Sequence, residues 1–305
     1  MCTAIFDRKQ GAFFGRTLDL ECSYGEEINR LSRGESYSFI HEGVMTCKHS
    51  LIGTALSVSS QPLFYDAINE KGLCAAALNF PKFAVYHPKK DGYLNLASFE
   101  LVPYLLSQCA TVGEALNALK GAVITPDSIS DDLKSTTLHW MIADRERSIV
   151  VESVEDGLKI YDNSIGIMTN SPPFPYHEAH LCDYLALSPE HPDNKFSPLL
   201  DLTAYSRGLG AFGLPGDYSS SSRFIRATFA KEHTLFPPCE DDTSHNRMAR
   251  QRIFDILGTV TLPYGIARTE KGEPIYTVYT SVIDMERCEY CYFSHKDRNI
   301  KVFKF

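Results

Sequence analysis

Short apolar runs stand at both ends of the chain, and apolar residues at helical spacing lie between them. Cys2-Thr-Ala-Ile-Phe and Ala12 to Leu18 have strand length and are separated by Gln10-Gly11, which predicts a hairpin. Leu63 to Ile68 and Leu73 to Leu78 flank Asn69-Glu-Lys-Gly72, a second strand-turn-strand pattern. Leu94 to Leu106 predicts a helix. Thr111-Val-Gly-Glu114 reads as a capping box ahead of an apolar face of Ala115, Leu116, Leu119 and Ala122. Strands are expected again at Thr137 to Ala143, Ser148 to Glu152, Leu158 to Tyr161 and Ile165 to Thr169. Residues 171–218, rich in Pro, His, Gly and Asp, predict long loops with short helical pieces. Helices are expected from Ser220 to Glu232 and Asn246 to Leu257, and strands from Ile275 to Val282, Glu289 to Phe293 and Ile300 to Phe303. Strands, helices, strands, helices, strands is an α+β order, and two sheets between helical layers bury it economically. With no internal repeat, linker or low-complexity segment, residues 1–305 are expected to form one domain.

Composition narrows the class. The 305 residues are 44% hydrophobic, enough for a large core, and the formal net charge is -8. That balance lacks the clustered Lys and Arg of a nucleic-acid surface or a basic membrane patch. No apolar run is long enough to span a bilayer. No apolar leader follows a basic start, so no secretion signal and a cytoplasmic location are expected. The nine cysteines are scattered and odd in number, which fits reduced, mostly buried thiols better than a disulfide framework.

Three motifs have ordinary readings. Gly208-Leu-Gly-Ala-Phe-Gly213 matches the dinucleotide pattern, but it lacks a preceding hydrophobic strand, and Leu214-Pro-Gly216 would break the helix that should follow. Cys288-Glu-Tyr-Cys291 has no second pair, and in a regular strand the two sulfurs diverge. His177-Glu-Ala-His180-Leu-Cys182 reads as a solvated, Pro-rich surface segment rather than a metal-ligand set. No metal or cofactor is expected.

Cys2 is different. Removal of Met1 leaves one residue with a thiol and a free α-amine. That amine has a reference pKa of about 7.7–8.0, so it can act as a base at neutral pH beside the sulfur it activates. From position alone, a buried small residue in a first strand is the favoured reading.

Five ordered blocks turn the balance: Met1-Cys2-Thr3; Phe14-Gly-Arg-Thr-Leu-Asp19; Asn69 to Leu73 with Ala77-Leu-Asn-Phe-Pro81; Ile167-Met-Thr-Asn-Ser-Pro172; and Gly208 to Gly216 followed by Asp217 to Phe224. Together they closely resemble the choloylglycine hydrolase family of conjugated bile acid hydrolases and penicillin V acylases. The resemblance runs from Cys2 to about Ser281, and the end after Arg287 looks shorter than is usual in the family. It implies an αββα N-terminal-nucleophile sandwich, amide hydrolysis without a cofactor, and a homotetramer. It also implies residue roles. Cys2 is the nucleophile. Arg16 sits by the sulfur, where a cation favours thiolate. Asp19 orients the α-amine, Asn79 and Asn170 form the oxyanion hole, and Arg223 completes the polar network. Ordinary readings stand beside these: Arg16 and Asp19 as a surface ion pair, Asn79 and Asn170 as turn residues before Pro81 and Pro172. A regular strand also puts Arg16 and Asp19 on opposite faces, so shared duty requires a bend or an end near Leu18.

By the same resemblance, Asn79 points to the bile-acid branch, since many penicillin V acylases carry Tyr there. Glycine- and taurine-conjugated bile acids are therefore the expected substrates. Penicillin V comes second, and a noncatalytic sterol-binding role is the reading from another class. A steroid needs an apolar pocket. Leu18, Leu20, Phe64, Phe80 and the Ile129 to Leu138 loop are the candidates.

Overall fold

A computed structural model describes residues 1–58, 61–129, 135–239 and 241–305. The chain opens on the expected hairpin, β1 (Cys2–Asp7) and β2 (Phe13–Leu20), turned at Gly11 with φ +101°, a value glycine adopts freely. Then come β3 (Glu27–Leu31), β4 (Ser36–Phe39), β5 (Gly43–Thr46), β6 (Leu51–Val58), β7 (Gln61–Asn69), β8 (Cys74–Asn79) and β9 (Leu94–Ala97). Two helices follow, α1 (Leu101–Gln108) and α2 (Val112–Leu119), and then β10 (Ala122–Thr125), β11 (Leu138–Ala143), β12 (Ser148–Val154), β13 (Gly157–Asp162) and β14 (Ile167–Met168). The last third holds α3 (Phe174–Leu181), α4 (Ser220–His233), α5 (Asp242–Gly258), β15 (Ala267–Arg268), β16 (Pro274–Asp284), β17 (Glu289–Ser294) and β18 (Lys301–Phe303).

Two antiparallel sheets result. The first runs β14-β1-β2-β16-β17-β18, with β15 on β16, and the second runs β13-β12-β11-β8-β7-β6-β3. A buried cluster joins Ala4, Phe14 and Leu18 of the first sheet to Ile68, Ala76, Leu78 and Met141 of the second. A second cluster packs Leu101, Leu105, Val112 and Leu119 of α1 and α2 onto Ala67, Ala75 and Trp140. Helices α4 and α5 cover the outer face of the first sheet, α4 against β1 and α5 against β1, β2 and β16. The layering is αββα, as expected. Among the described residues, no helix is long and apolar enough to cross a membrane.

Two expectations need correction. Leu94 to Leu106 is not one helix: Leu94–Ala97 pairs in parallel with β10, and helical structure begins only at Ser98. The Glu100 carboxylate explains the break, accepting from Ala97 N at 2.9 Å while Ala97 itself is extended. Ala122 accordingly starts β10 rather than extending the face of α2. The cap itself forms: Thr111 Oγ1 accepts from Glu114 N at 3.2 Å, and Glu114 reaches back to Ala110 N at 2.8 Å.

Candidate active site

Strand pairing decides which groups meet Cys2. In the β1/β2 register, Cys2 lies opposite Leu18 and Ala4 opposite Arg16, so these four side chains share one face. That face looks into the space between the sheets. Arg16 is fully buried there, and its Nη2 donates to Cys2 Sγ at 2.9 Å. Its Nη1 donates to the carbonyls of Tyr65 (3.1 Å) and Ala77 (3.0 Å), and its Nε to Thr17 O at 3.2 Å. Burial acts to lower the Arg16 pKa, but the pull of Tyr279, Cys2, Asp66 and Tyr290 outweighs it and the net shift is upward. The sulfur therefore faces a permanent cation, a setting that favours thiolate.

Thr3, Thr17 and Asp19 occupy the other face, under α4. Arg223 comes from the second turn of α4 and is fully buried. Its Nη1 donates to the carbonyl of Cys2 and to Thr3 Oγ1 at 2.7 Å, and its Nη2 donates to Asn170 Oδ1 at 2.7 Å. Asn170 Oδ1 also accepts from Cys2 N at 2.8 Å, while its Nδ2 donates to Asn79 O at 2.6 Å. Asp19 accepts from Thr17 Oγ1 (3.2 Å) and Thr277 Oγ1 (2.6 Å). Burial raises the Asp19 pKa against the opposing pull of Arg223, the N-terminal amine, Thr277 and Arg16. Met1 extends the ladder: Asp19 N donates to Met1 O at 2.9 Å, and the terminal amine donates to Asp19 O at 2.7 Å.

Arg16 and Asp19 thus lie on opposite faces, yet β2 needs no bend or early end between them. It runs unbroken to Leu20, and the irregularity sits in its partner β16, between Thr277 and Tyr279. Only Arg16 meets Cys2 directly, at the sulfur; from the other side of the sheet the Cys2 backbone is held by Asn170 and Arg223, while the Asp19 carboxylate bonds Thr17 and Thr277.

A cavity of about 360 Å³ adjoins this centre. Leu20, Leu56, Leu63, Phe64, Phe99 and Leu138 line it, with Glu21, Tyr24, Asn79 and Thr136 as polar groups. Tyr65 and Ala77 also line it, and their carbonyls hold Arg16, so one wall of the cavity is the backing of the sulfur site. Leu20 and Phe64 stand where a pocket residue should. Leu18 and Phe80 do not: Leu18 is buried opposite Cys2, and Phe80 is buried and stacked on His139, with ring centroids 4.4 Å apart. Of the expected loop, Ile129 and Leu138 line the cavity, and residues 130–134 lie outside the described residues.

Sequence reading missed the support under Asn170. Phe174–Leu181 is helix α3, one of the short helical pieces expected, but His177 is buried rather than solvated, with its Nε2 2.9 Å from Asn170 O. His139 Nε2 lies 2.9 Å from Thr169 O, and its Nδ1 is 3.2 Å from Glu152 Oε1. Strand pairing brings His139 to Thr169 and Glu152, and the turn from Asn170 into α3 brings His177 back to Asn170, so the spacing of the residues alone carried no signal for these contacts. Cys288, at φ +51°, and Cys291 are both free thiols.

Residues 2–305 match the family of linear amide C-N hydrolases known as the choloylglycine hydrolase family. The chain belongs to that family. It is a hydrolase acting on linear amide C–N bonds, and the match extends past Ser281, where the resemblance ended, through β17 and β18. A bile salt hydrolase/transferase from Lactiplantibacillus plantarum is 40% identical over 302 residues, 98% of this chain and 91% of the relative. A solved mutant of the conjugated bile acid hydrolase from Clostridium perfringens superposes with a TM-score of 0.88 at 31% identity, covering 100% of this chain and 92% of that one. A penicillin V acylase from Agrobacterium tumefaciens, at 21% identity and a TM-score of 0.77 over 100% of this chain and 86% of that one, shares the fold. The αββα architecture is that of the N-terminal-nucleophile hydrolases.

Proposed function

We propose that this hydrolase cleaves the amide of glycine- or taurine-conjugated bile acids, with Cys2 as nucleophile after Met1 is removed. The observation that carries the reading is the pairing of Cys2 with its surroundings. The sulfur is on Arg16 at 2.9 Å, the nitrogen on Asn170 at 2.8 Å, and an apolar cavity backs the same centre. The curated relatives named for bile salts support the substrate class, as does Asn79 on the cavity wall.

The chemistry follows from that placement. The freed Cys2 amine takes the thiol proton, and the sulfur adds to the substrate carbonyl carbon. The displaced carbonyl electrons collect on oxygen. Asn79 Oδ1 is already held by Thr137 Oγ1 at 2.9 Å, which leaves the Nδ2 of its amide as a donor for that oxygen. Asn170 Nδ2 has a second N–H beyond the one on Asn79 O. As the C–N bond breaks, the Cys2 ammonium returns its proton to the leaving amine. Water, deprotonated by the same amine, then splits the thioester and releases the bile acid. Arg223 holds the Cys2 carbonyl in place throughout, and Asp19 is assigned the orienting of the freed amine.

The reading further takes residues 1–305 as one domain acting as a homotetramer in the cytoplasm. An exposed apolar stretch including Leu185, Phe196, Leu199, Tyr205 and Phe212 supports association of copies. The test is intact mass of the active protein together with product release from glycocholate, taurocholate and penicillin V by wild type and Cys2→Ala. Met1 should be absent, turnover should favour the bile acids, and Cys2→Ala should be inactive while still folded. Full activity with Met1 retained, or turnover by Cys2→Ala, would refute it.

A further inference from the structure

Behind Arg16 lies a buried polar cluster that the steps above do not use. Asp66 is fully buried on β7, and its carboxylate accepts from three hydroxyls of the other sheet. These are Tyr279 Oη, Ser281 Oγ at 2.7 Å and Tyr290 Oη at 2.7 Å. Thr54 Oγ1 lies 2.6 Å from Tyr290 Oη and closes the cluster. Asp66 Oδ1 is 4.0 Å from Arg16 Nη1, close enough to attract but too far for a hydrogen bond.

Two irregularities meet here. The β6/β7 register shifts between Thr54 and Ala55, leaving Tyr65 as the extra residue beside Asp66. The β2/β16 register shifts between Thr277 and Tyr279, beside the tyrosine that caps Asp66. Bulges re-aim groups that a regular ladder would occupy. In this case the Tyr65 carbonyl is turned onto Arg16 Nη1 at 3.1 Å. One edge of the guanidinium is thereby held by Tyr65, Ala77 and the Asp66 charge, and Nη2 is left for sulfur.

We propose that Asp66 is a positioning residue for the nucleophile, a tether that acts through Arg16. Its negative charge holds the Nη1 edge of the guanidinium in the inter-sheet space. Its three hydroxyl partners saturate the carboxylate, so that it does not capture the arginine in a direct ion pair and draw it off the sulfur. This rests on Cys2 being the nucleophile, and the test separates the two ideas.

The experiment uses Met1-free enzyme: wild type, Asp66→Asn, Arg16→Leu and the double variant. Iodoacetamide alkylation is followed against pH, with the modified cysteine located by peptide mapping, and kcat and KM are measured on glycocholate. With Asp66→Asn we expect kcat to fall about 10- to 100-fold, KM to stay within about two-fold, and the alkylation midpoint to rise as Arg16 leaves the sulfur. In the Arg16→Leu background Asp66→Asn should add nothing, because it acts through Arg16. The sign decides the matter. If Asp66 were only a neighbouring anion, its removal would leave Arg16 in place and lower the midpoint or leave it unchanged, and either result overturns the proposal, as do losses that multiply in the double variant. If Asp66→Asn does not fold, Ser281→Ala and Tyr290→Phe take its place. Each keeps the charge and strips one hydroxyl, and the midpoint should rise as Nη1 closes on the carboxylate; an unchanged midpoint overturns the proposal. Alkylation mapped to another cysteine, or turnover by Cys2→Ala, would instead sink the nucleophile itself.

Discussion

Asn170→Ala separates positioning from packing. The Asn170 side chain is almost wholly buried and makes three contacts: Cys2 N and Arg223 Nη2 on its oxygen, and Asn79 O on its nitrogen. Truncation leaves a buried guanidinium N–H and a half-buried carbonyl without this partner, at a cost of up to about 1–3 kcal/mol each. Because water can enter part of the space, a total near 2–4 kcal/mol is expected. At roughly 2–4 °C per kcal/mol, Tm should fall by about 4–16 °C. The kinetic loss should be larger. Truncation frees the Cys2 nitrogen to turn away from its sulfur, and under the proposed mechanism it removes a donor for the oxyanion. Losing one such donor costs about 10²–10³ in kcat. That charge exists only near the transition state, so KM should change little. Glycine release from glycocholate gives kcat and KM, and differential scanning fluorimetry gives Tm. A variant with the lowered Tm but a kcat within about three-fold of wild type would reduce Asn170 to a packing residue and refute this reasoning.

His177 should make stability pH-dependent. Burial holds its pKa down to about 4, and among the described residues its Nδ1 has no partner, so protonation would bury an unpaired charge. With the folded pKa below the unfolded value of 6.5, the unfolded chain binds the extra proton between those two pH values. Stability is then complete above about pH 6.5 and declines towards pH 4 by up to about 3 kcal/mol. Urea midpoints of wild type should fall across that window, and those of His177→Gln should fall less; parallel curves would exclude His177 as the source. In the cavity, Phe64→Ala should raise KM for glycocholate about 10-fold or more by removing apolar wall. Phe80→Leu should lower Tm and leave KM unchanged, since Phe80 packs on His139 outside the cavity. The opposite split in kinetic assays would reverse the two assignments.

The legible parts of the chain were those with local causes. The β1/β2 hairpin, the β7/β8 pair around Asn69 to Gly72, the Thr111 cap and helices α4 and α5 all follow from turn residues, caps and periodicity. Leu94 to Leu106 failed because Leu94–Ala97 is extended by its pairing with β10, a partner 28 positions away in the register. The site divides the same way. Cys2 is conspicuous by position, and Arg16 and Asp19 by a short motif. Asp66 and His139 gave no sign, because each acquires its partners from other strands in the folded chain, and His177 was visible only in a motif read as solvated surface. Leu18 and Phe80 looked like pocket residues because they are apolar and near the motifs. Strand alternation and the His139 stack turn both into the core.

The position of Cys2 at the start of β1 explains why one residue can serve two separate polar networks. A cysteine inside a strand has its nitrogen and carbonyl committed to the ladder and only its side chain free. At the first position, the sulfur still projects into the inter-sheet space, where Arg16 waits from β2. The nitrogen meets a side chain, Asn170, instead of a ladder partner, and Arg223 grips the carbonyl from α4. Met1 satisfies the adjoining Asp19 backbone on both its N–H and its carbonyl, so the chain end is already in register while Met1 is present. Its removal therefore requires no rearrangement of the strand to bring amine and thiol together. Arg16 holds the sulfur from one face of the sheet and Arg223 holds the Cys2 carbonyl from the other, so loss of the Arg223 contact should spare the sulfur's contact with Arg16. Arg223→Lys should then disturb the Cys2 nitrogen and carbonyl while the sulfur stays on Arg16. Turnover should fall at least about ten-fold, as expected when a bidentate arginine becomes a point charge. Alkylation of Cys2 by iodoacetamide should stay within about two-fold of wild type, because sulfur and Arg16 are untouched. Equal loss of both would mean that the faces are coupled and that this division of labour is wrong.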